Sequence, residues 1–136
     1  MNPIDSSLAE YLQGHRAGIL ATTNRSGTPQ QTLIGYRFDG NDIAISTRAT
    51  SLKAKNVSKR PGVSLAITDG RSQLIVYGKA EIVRELDAVF ALHRGRGLLG
   101  DRQTSDAEFQ ELLESEKRVV LVLRPEKFYP ATMRRA

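Results

Sequence analysis

The 136 residues include no cysteine and no tryptophan. Without cysteine there are no disulfides, thiolate metal ligands, iron–sulfur clusters or cysteine nucleophiles. Histidine is limited to His15 and His93, too few for most zinc or non-haem iron sets, so no metal site is expected. No apolar run nears the roughly 18–20 residues that span a bilayer. The opening MNPIDSS lacks the charged-then-apolar layout of a signal peptide, and a cytoplasmic protein without a membrane partner is the expectation. Phosphate-loop signatures are missing too: no GxGxxG follows a strand, and GxxxxGK(S/T) does not occur. No serine sits in a GxSxG elbow, and the carboxylates Glu111, Glu114 and Glu116 read as a solvated face. The sequence therefore nominates no catalytic side chain. A bound redox cofactor explains such an absence, because it carries the reacting atoms itself.

What is present is ordinary in bulk. Hydrophobic residues make up 40% and charged residues 26%, the range of a folded globular chain. The length suits one domain over residues 1–136. Lysine and arginine number 20 against 15 acidic residues, and the net charge of +5 favours an anionic partner.

Along the chain, Ser7 and Glu10 have capping-box spacing ahead of an amphipathic helix that Gly14 ends. Residues 17–24 and 29–38 read as strands joined by the turn Arg25-Ser26-Gly27, and 42–48 as a third strand. Residues 50–61 are helix-like, capped by Thr50 or Ser51, with Leu52 and Val57 inward and Pro61 as the stop. Strands are expected at 62–69, 73–85 and 118–123, with helices over 86–99 and 106–117. In the first of these helices, Leu86, Val89, Phe90 and His93 share a stripe, and His93 reads as a partly buried structural residue. The glycine-rich 95–100 reads as a helix break, and 95–105, with Gly95, Gly97 and Gly100, as a lid. This order predicts an α+β fold, a six-stranded antiparallel split β-barrel with short flanking helices.

The most informative stretch is STRATSLKAKN, residues 46–56, at a strand-to-helix junction. Unpaired N–H groups and the helix dipole favour acidic residues in a first turn. Here Lys53 and Lys55 stand near the helix start, Arg48 precedes it, and no acid compensates. Each such cation costs the free helix about 0.3–1 kcal/mol. With the hydroxyls of Ser46, Thr47, Thr50 and Ser51, the junction offers donors and charge to a phosphate or carboxylate. An exposed basic helix that only aids solubility is the alternative reading, and composition leaves both open.

In order, the hairpin LATTNRSGTPQ ending at Gln30, the strand closing with Ser46-Thr47, the pattern Ser51-x-Lys53-x-x-Asn56 with Pro61 beyond, and RVVLVL at 118–123 span most of the chain. Together they resemble the pyridoxamine 5'-phosphate oxidase-like split β-barrels, and within these the branch that uses the deazaflavin coenzyme F420. The resemblance implies a homodimer with two cofactor sites at the subunit interface. It puts the cofactor phosphate on Lys53 and Ser51, with Ser46 and Thr47 nearby and Arg48 toward an anionic tail together with Lys55 and Lys59. It puts Gln30, Thr32 and Leu33 along the tricyclic ring, Asn56 as a cofactor-side amide, and Gln73 as a residue reaching the partner's site. The implied activity is hydride transfer between coenzyme F420 and a small conjugated acceptor, biliverdin-like or quinone-like. FMN is the alternative cofactor, and non-catalytic cofactor binding the alternative role. Leu52 and Ile75 stand where vitamin B6 oxidases have arginines, and the chain ends soon after Tyr129, which disfavours that activity. Few aromatics, 6% of the chain, argue against a nucleic-acid partner.

Overall fold

The computed structural model describes residues 4–100 and 103–132. Strand β1 (Ala17–Thr23) alternates as half-buried strands do, with Gly18, Leu20 and Thr22 inside and Ala17 and Ile19 outside. At its end the Asn24 N–H donates to the Thr28 carbonyl at 2.8 Å. Gly27 supplies the left-handed φ of 92° that the turn needs. Strand β2 (Pro29–Gly35) then returns antiparallel, setting Gln30 opposite Thr22 and Thr32 opposite Leu20.

The expected single strand over 29–38 is in fact two. The ladder breaks at Tyr36, and β3 (Arg37–Phe38) pairs with β4 (Ile43–Arg48) instead of β1. Tyr36 is fully buried, and its hydroxyl donates to the Leu12 carbonyl at 2.8 Å. Its own N–H donates to Arg16, so burial and hydrogen bonding together turn the chain here. The sheet accordingly has seven strands, not six, in the order β2-β1-β5-β6-β7-β4-β3, where β5 is Gly62–Asp69, β6 Ser72–Val83 and β7 Arg118–Thr132. One residue separates its two edge strands. The antiparallel sheet must therefore curl until its edges approach, which makes a half-barrel.

Strand β7 outruns its expected end at 123. It pairs with the whole of β6, and a register shift between Tyr77 and Gly78 leaves Glu126 as an extra residue beside Pro125. The bulge accommodates a proline that has no N–H to give the ladder. Its first half is buried on both faces, which accounts for the unbroken apolar run. Leu121 and Leu123 point into the curl with Leu20, Ile45 and Leu65. Val120 and Val122 point outward with Ala44, under Val89 of α3 (Leu86–Arg96) and Phe109 and Leu113 of α4 (Asp106–Ser115).

Among the described residues there are four helices, and none is long and apolar enough to cross a membrane. Helix α1 (Ser6–Gln13) is capped by Asp5, whose carboxylate accepts from the Ser7 N–H, so the expected Ser7 cap is displaced by two residues. Helix α2 (Leu52–Lys59) takes Ser51 as its cap. It buries Ala54, Asn56 and Val57 but leaves Leu52 51% exposed, contrary to expectation. Leu52 opens the helix on the side away from the face that Ala54 and Val57 define. Gly97, left-handed at φ 68°, ends α3 where the helix break was expected. Asp101 and Arg102, within the expected lid 95–105, lie outside the described residues.

Candidate functional site

Where β4 ends and α2 begins, the curl leaves a cleft of about 380 Å³. Ser46, Thr47 and Arg48 line it from β4, and Thr50, Ser51 and Lys53 from the helix entrance. Leu33, Ile34 and Gly35 close it from β2, and Arg118 from the start of β7.

The hydroxyls are held in a definite arrangement. Ser51 Oγ accepts from the Ala54 N–H at 3.2 Å and from the Thr47 hydroxyl at 3.0 Å. Both of its lone pairs are thereby engaged, and its own proton is left to donate. Behind Ser46 lies His93, fully buried, with Nε2 at 2.7 Å from Ser46 Oγ and Nδ1 at 2.7 Å from the Val89 carbonyl. Burial pushes the His93 pKa below the ordinary imidazole range.

Among the described residues, three cations reach the cleft: Arg48, Lys53 and Arg118. Burial, then the nearby Arg118, holds the Lys53 ammonium below the usual lysine range. Among the described residues Lys53 has no carboxylate partner. Glu116 Oε1 stands 2.8 Å from Arg118 and 3.6 Å from Arg48, so one carboxylate serves two guanidiniums. The balance is positive, and the arrangement can bind an anion while Leu33, 71% exposed, offers an apolar flank.

Of the expected site residues, Leu33, Ser46, Thr47, Arg48, Ser51 and Lys53 line this cleft. Gln30, Thr32 and Asn56 do not; they form a polar chain beside it. Asn56 Nδ2–H donates to Thr22 Oγ1 at 3.1 Å and to Asn24 Oδ1 at 3.0 Å. The Thr22 hydroxyl donates to Gln30 Oε1 at 3.4 Å, and Gln30 Nε2–H donates to Thr32 Oγ1 at 2.8 Å. Asn56 is buried, and Arg60 donates to its Oδ1 at 3.3 Å. Gln73 lines a different cleft, of about 370 Å³, with Tyr11 of α1 and Pro130 of β7. Lys55 and Lys59 are exposed and line neither. Sequence reasoning missed Arg118, Ile34 and Gly35. Arg118 carries no local signal; only the ladder, which pairs it with Arg48, brings it to the cleft.

Residues 4–131 match the model of the family described as pyridoxamine 5'-phosphate oxidase. The chain belongs to this family. The resemblance read from its motifs thus holds at the family level. A conserved hypothetical protein from Mycobacterium tuberculosis superposes with a TM-score of 0.72 at 26% identity, over 96% of this chain and 86% of that one. An F420 reductase superposes at 0.67, also at 26% identity, over 88% of this chain and 94% of that one. General Stress Protein 26 from Bacillus anthracis shares the fold, with a TM-score of 0.65 at 16% identity over 90% and 88% of the two chains. The family and the F420 reductase among its relatives support a general oxidoreductase or flavin-binding role for this member of the pyridoxamine 5'-phosphate oxidase family.

Proposed function

We propose that the protein moves a hydride between coenzyme F420 and a small conjugated acceptor, biliverdin-like or quinone-like, and works as a homodimer. The observation that carries this reading is the convergence of Lys53, Arg48, Arg118 and the Ser51 hydroxyl on one cleft flanked by exposed Leu33. A cationic donor pole beside an apolar wall suits a molecule with an anionic tail and a flat ring. The donor set fits the coenzyme's phosphate, which Lys53 and Ser51 would hold with Ser46 and Thr47 beside them. Gln30, Thr32 and Leu33 would orient the ring, and Asn56 would act through the polar chain that ends at Thr32. When bound, the coenzyme supplies the carbon that gives or takes the hydride. The protein's own part is to position ring and acceptor against each other. Gln73 faces another cleft of its own chain, so a role for it in cofactor binding requires the second subunit. The 26% identity with an F420 reductase supports the choice of coenzyme.

FMN is the second reading. Lys55 and Lys59 lie outside the cleft, and Arg48 shares Glu116 with Arg118, so the local charge suits one phosphate better than a long anionic tail. Parallel titrations of both cofactors into the wild type and Lys53→Ala test the proposal. Tighter binding of coenzyme F420, weakened at least several-fold in Lys53→Ala with unchanged unfolding, supports it. Tighter FMN binding selects the second reading, and binding of neither, or binding indifferent to Lys53, overturns both.

A further inference from the structure

His93 lies behind the cleft wall, fully buried, and its two ring nitrogens meet different partners. The Val89 carbonyl, 2.7 Å from Nδ1, can only accept, so Nδ1 carries a proton. Around the ring, Phe109 of α4 packs edge-on with centroids 6.0 Å apart. The cation Arg118 of β7 is a charged neighbour, and burial first, then that cation, favours the neutral ring. A neutral ring protonated at Nδ1 has a lone pair at Nε2. Ser46, 2.7 Å away, therefore donates its proton to Nε2 and keeps only lone pairs for the cleft. Ser51 is in the opposite state, with both lone pairs engaged and its proton free.

We propose that His93 sets Ser46 as a hydrogen-bond acceptor, so that Ser46 takes a hydroxyl or N–H group of the bound molecule while Ser51 and Lys53 take its anionic group. The inference rests on reading this cleft as the cofactor's anion site. It narrows the ligand class to anions with a hydrogen-bond donor close to the charge, such as a phosphorylated polyol, over bare inorganic anions. Ser46 touches the ligand, and His93 is a positioning residue that acts through it.

The test compares two probes at about pH 8, where an ordinary imidazole is neutral. One is whichever of FMN and coenzyme F420 binds more tightly; both carry hydroxyls near a phosphate. The other is sulfate, whose oxygens only accept, measured as a competitor. Ser46→Ala is expected to weaken the cofactor about 5-fold and to leave sulfate within about twofold, whereas Lys53→Ala weakens both. Nitrogen NMR of the His93 imidazole in the wild type is expected to show the neutral Nδ1–H form with and without cofactor. Equal loss of sulfate in Ser46→Ala, or a proton on Nε2 in the complex, would overturn the assignment while leaving the anion site intact. Failure of Lys53→Ala to weaken either probe removes the anion site itself, and the Ser46 assignment with it.

Discussion

Arg48 and Arg118 are ladder partners across β4 and β7, two like charges directly opposite each other at the cleft mouth. Such a pair destabilises a sheet unless a counter-charge answers it. Glu116 Oε1 does so, 2.8 Å from Arg118 and 3.6 Å from Arg48. The tight turn before β7, where Lys117 adopts a φ of 53°, brings Glu116 back beside Arg118.

Glu116→Gln is expected to have opposite effects on folding and binding. Removing the carboxylate leaves the guanidiniums facing each other, which lowers stability by about 1 kcal/mol. The same change raises the positive potential of the cleft, so affinity for an anionic cofactor rises several-fold, most visibly at low salt. Urea unfolding and cofactor titration on one preparation check both. Unchanged affinity would show that the arginine pair does not face the ligand.

The Asn56 amide joins α2 to the end of β1, and it is buried there. Asn56→Ala removes the amide donor to Thr22 Oγ1 and Asn24 Oδ1 and the acceptor of one Arg60 N–H, and is expected to cost about 1–3 kcal/mol. The urea midpoint should fall without a change in slope. Because the hydrogen bonds continue through Thr22 to Gln30 and Thr32, cofactor affinity should fall as well under conditions where the variant is fully folded.

Gly78 stands opposite the bulge in β7, and a Cβ there would overlap the Arg124 carbonyl oxygen. That oxygen belongs to backbone at the centre of the longest strand pair and cannot swing aside. Gly78→Ala is therefore expected to lower stability by about 3 kcal/mol, the upper end of ordinary overpacking. Gly62→Ala, with open space around the added carbon, should stay within about 0.5 kcal/mol and serves as the control.

The two histidines should tilt stability in opposite directions with pH. His15 gives Nδ1 to the Tyr11 carbonyl at 2.7 Å and Nε2 to Asp69 at 3.0 Å, two acceptors that only the imidazolium satisfies together. The Tyr11 carbonyl first, then Asp69, raises its pKa. Its contribution is fully present below the unfolded value of about 6.5 and is lost as pH rises through the raised folded value. Burial lowers the pKa of His93, so the unfolded chain takes up a proton first as pH falls below about 6.5, and stability declines until the folded ring also protonates. Unfolding curves should therefore show a maximum near the ordinary histidine pKa. His15→Gln should flatten its alkaline side and leave the acid side unchanged.

Much of the local architecture was legible in the residues themselves. The Gly27 turn, the Ser51 cap, the break at Gly97 and the alternation of β1 depend on neighbours a few positions away, and a pattern of that range is visible in a linear chain. The crowd of cations and hydroxyls at 46–56 was visible for the same reason. Other features were not. The bend at Tyr36 needs the Leu12 carbonyl to receive its hydroxyl, and the run of β7 through Pro125 needs the bulge opposite Gly78.

The sequence alone therefore determined the type of most elements, the family, and the segment where cations and hydroxyls gather. Only the tertiary structure decided that Arg118 joins that segment, that Asn56 turns toward β1, and that His93 stands behind Ser46. The reason is physical. A local pattern fixes which face of a strand or helix is apolar, but strand register and helix docking decide which distant polar group meets it, and these emerge when the whole curled sheet packs at once.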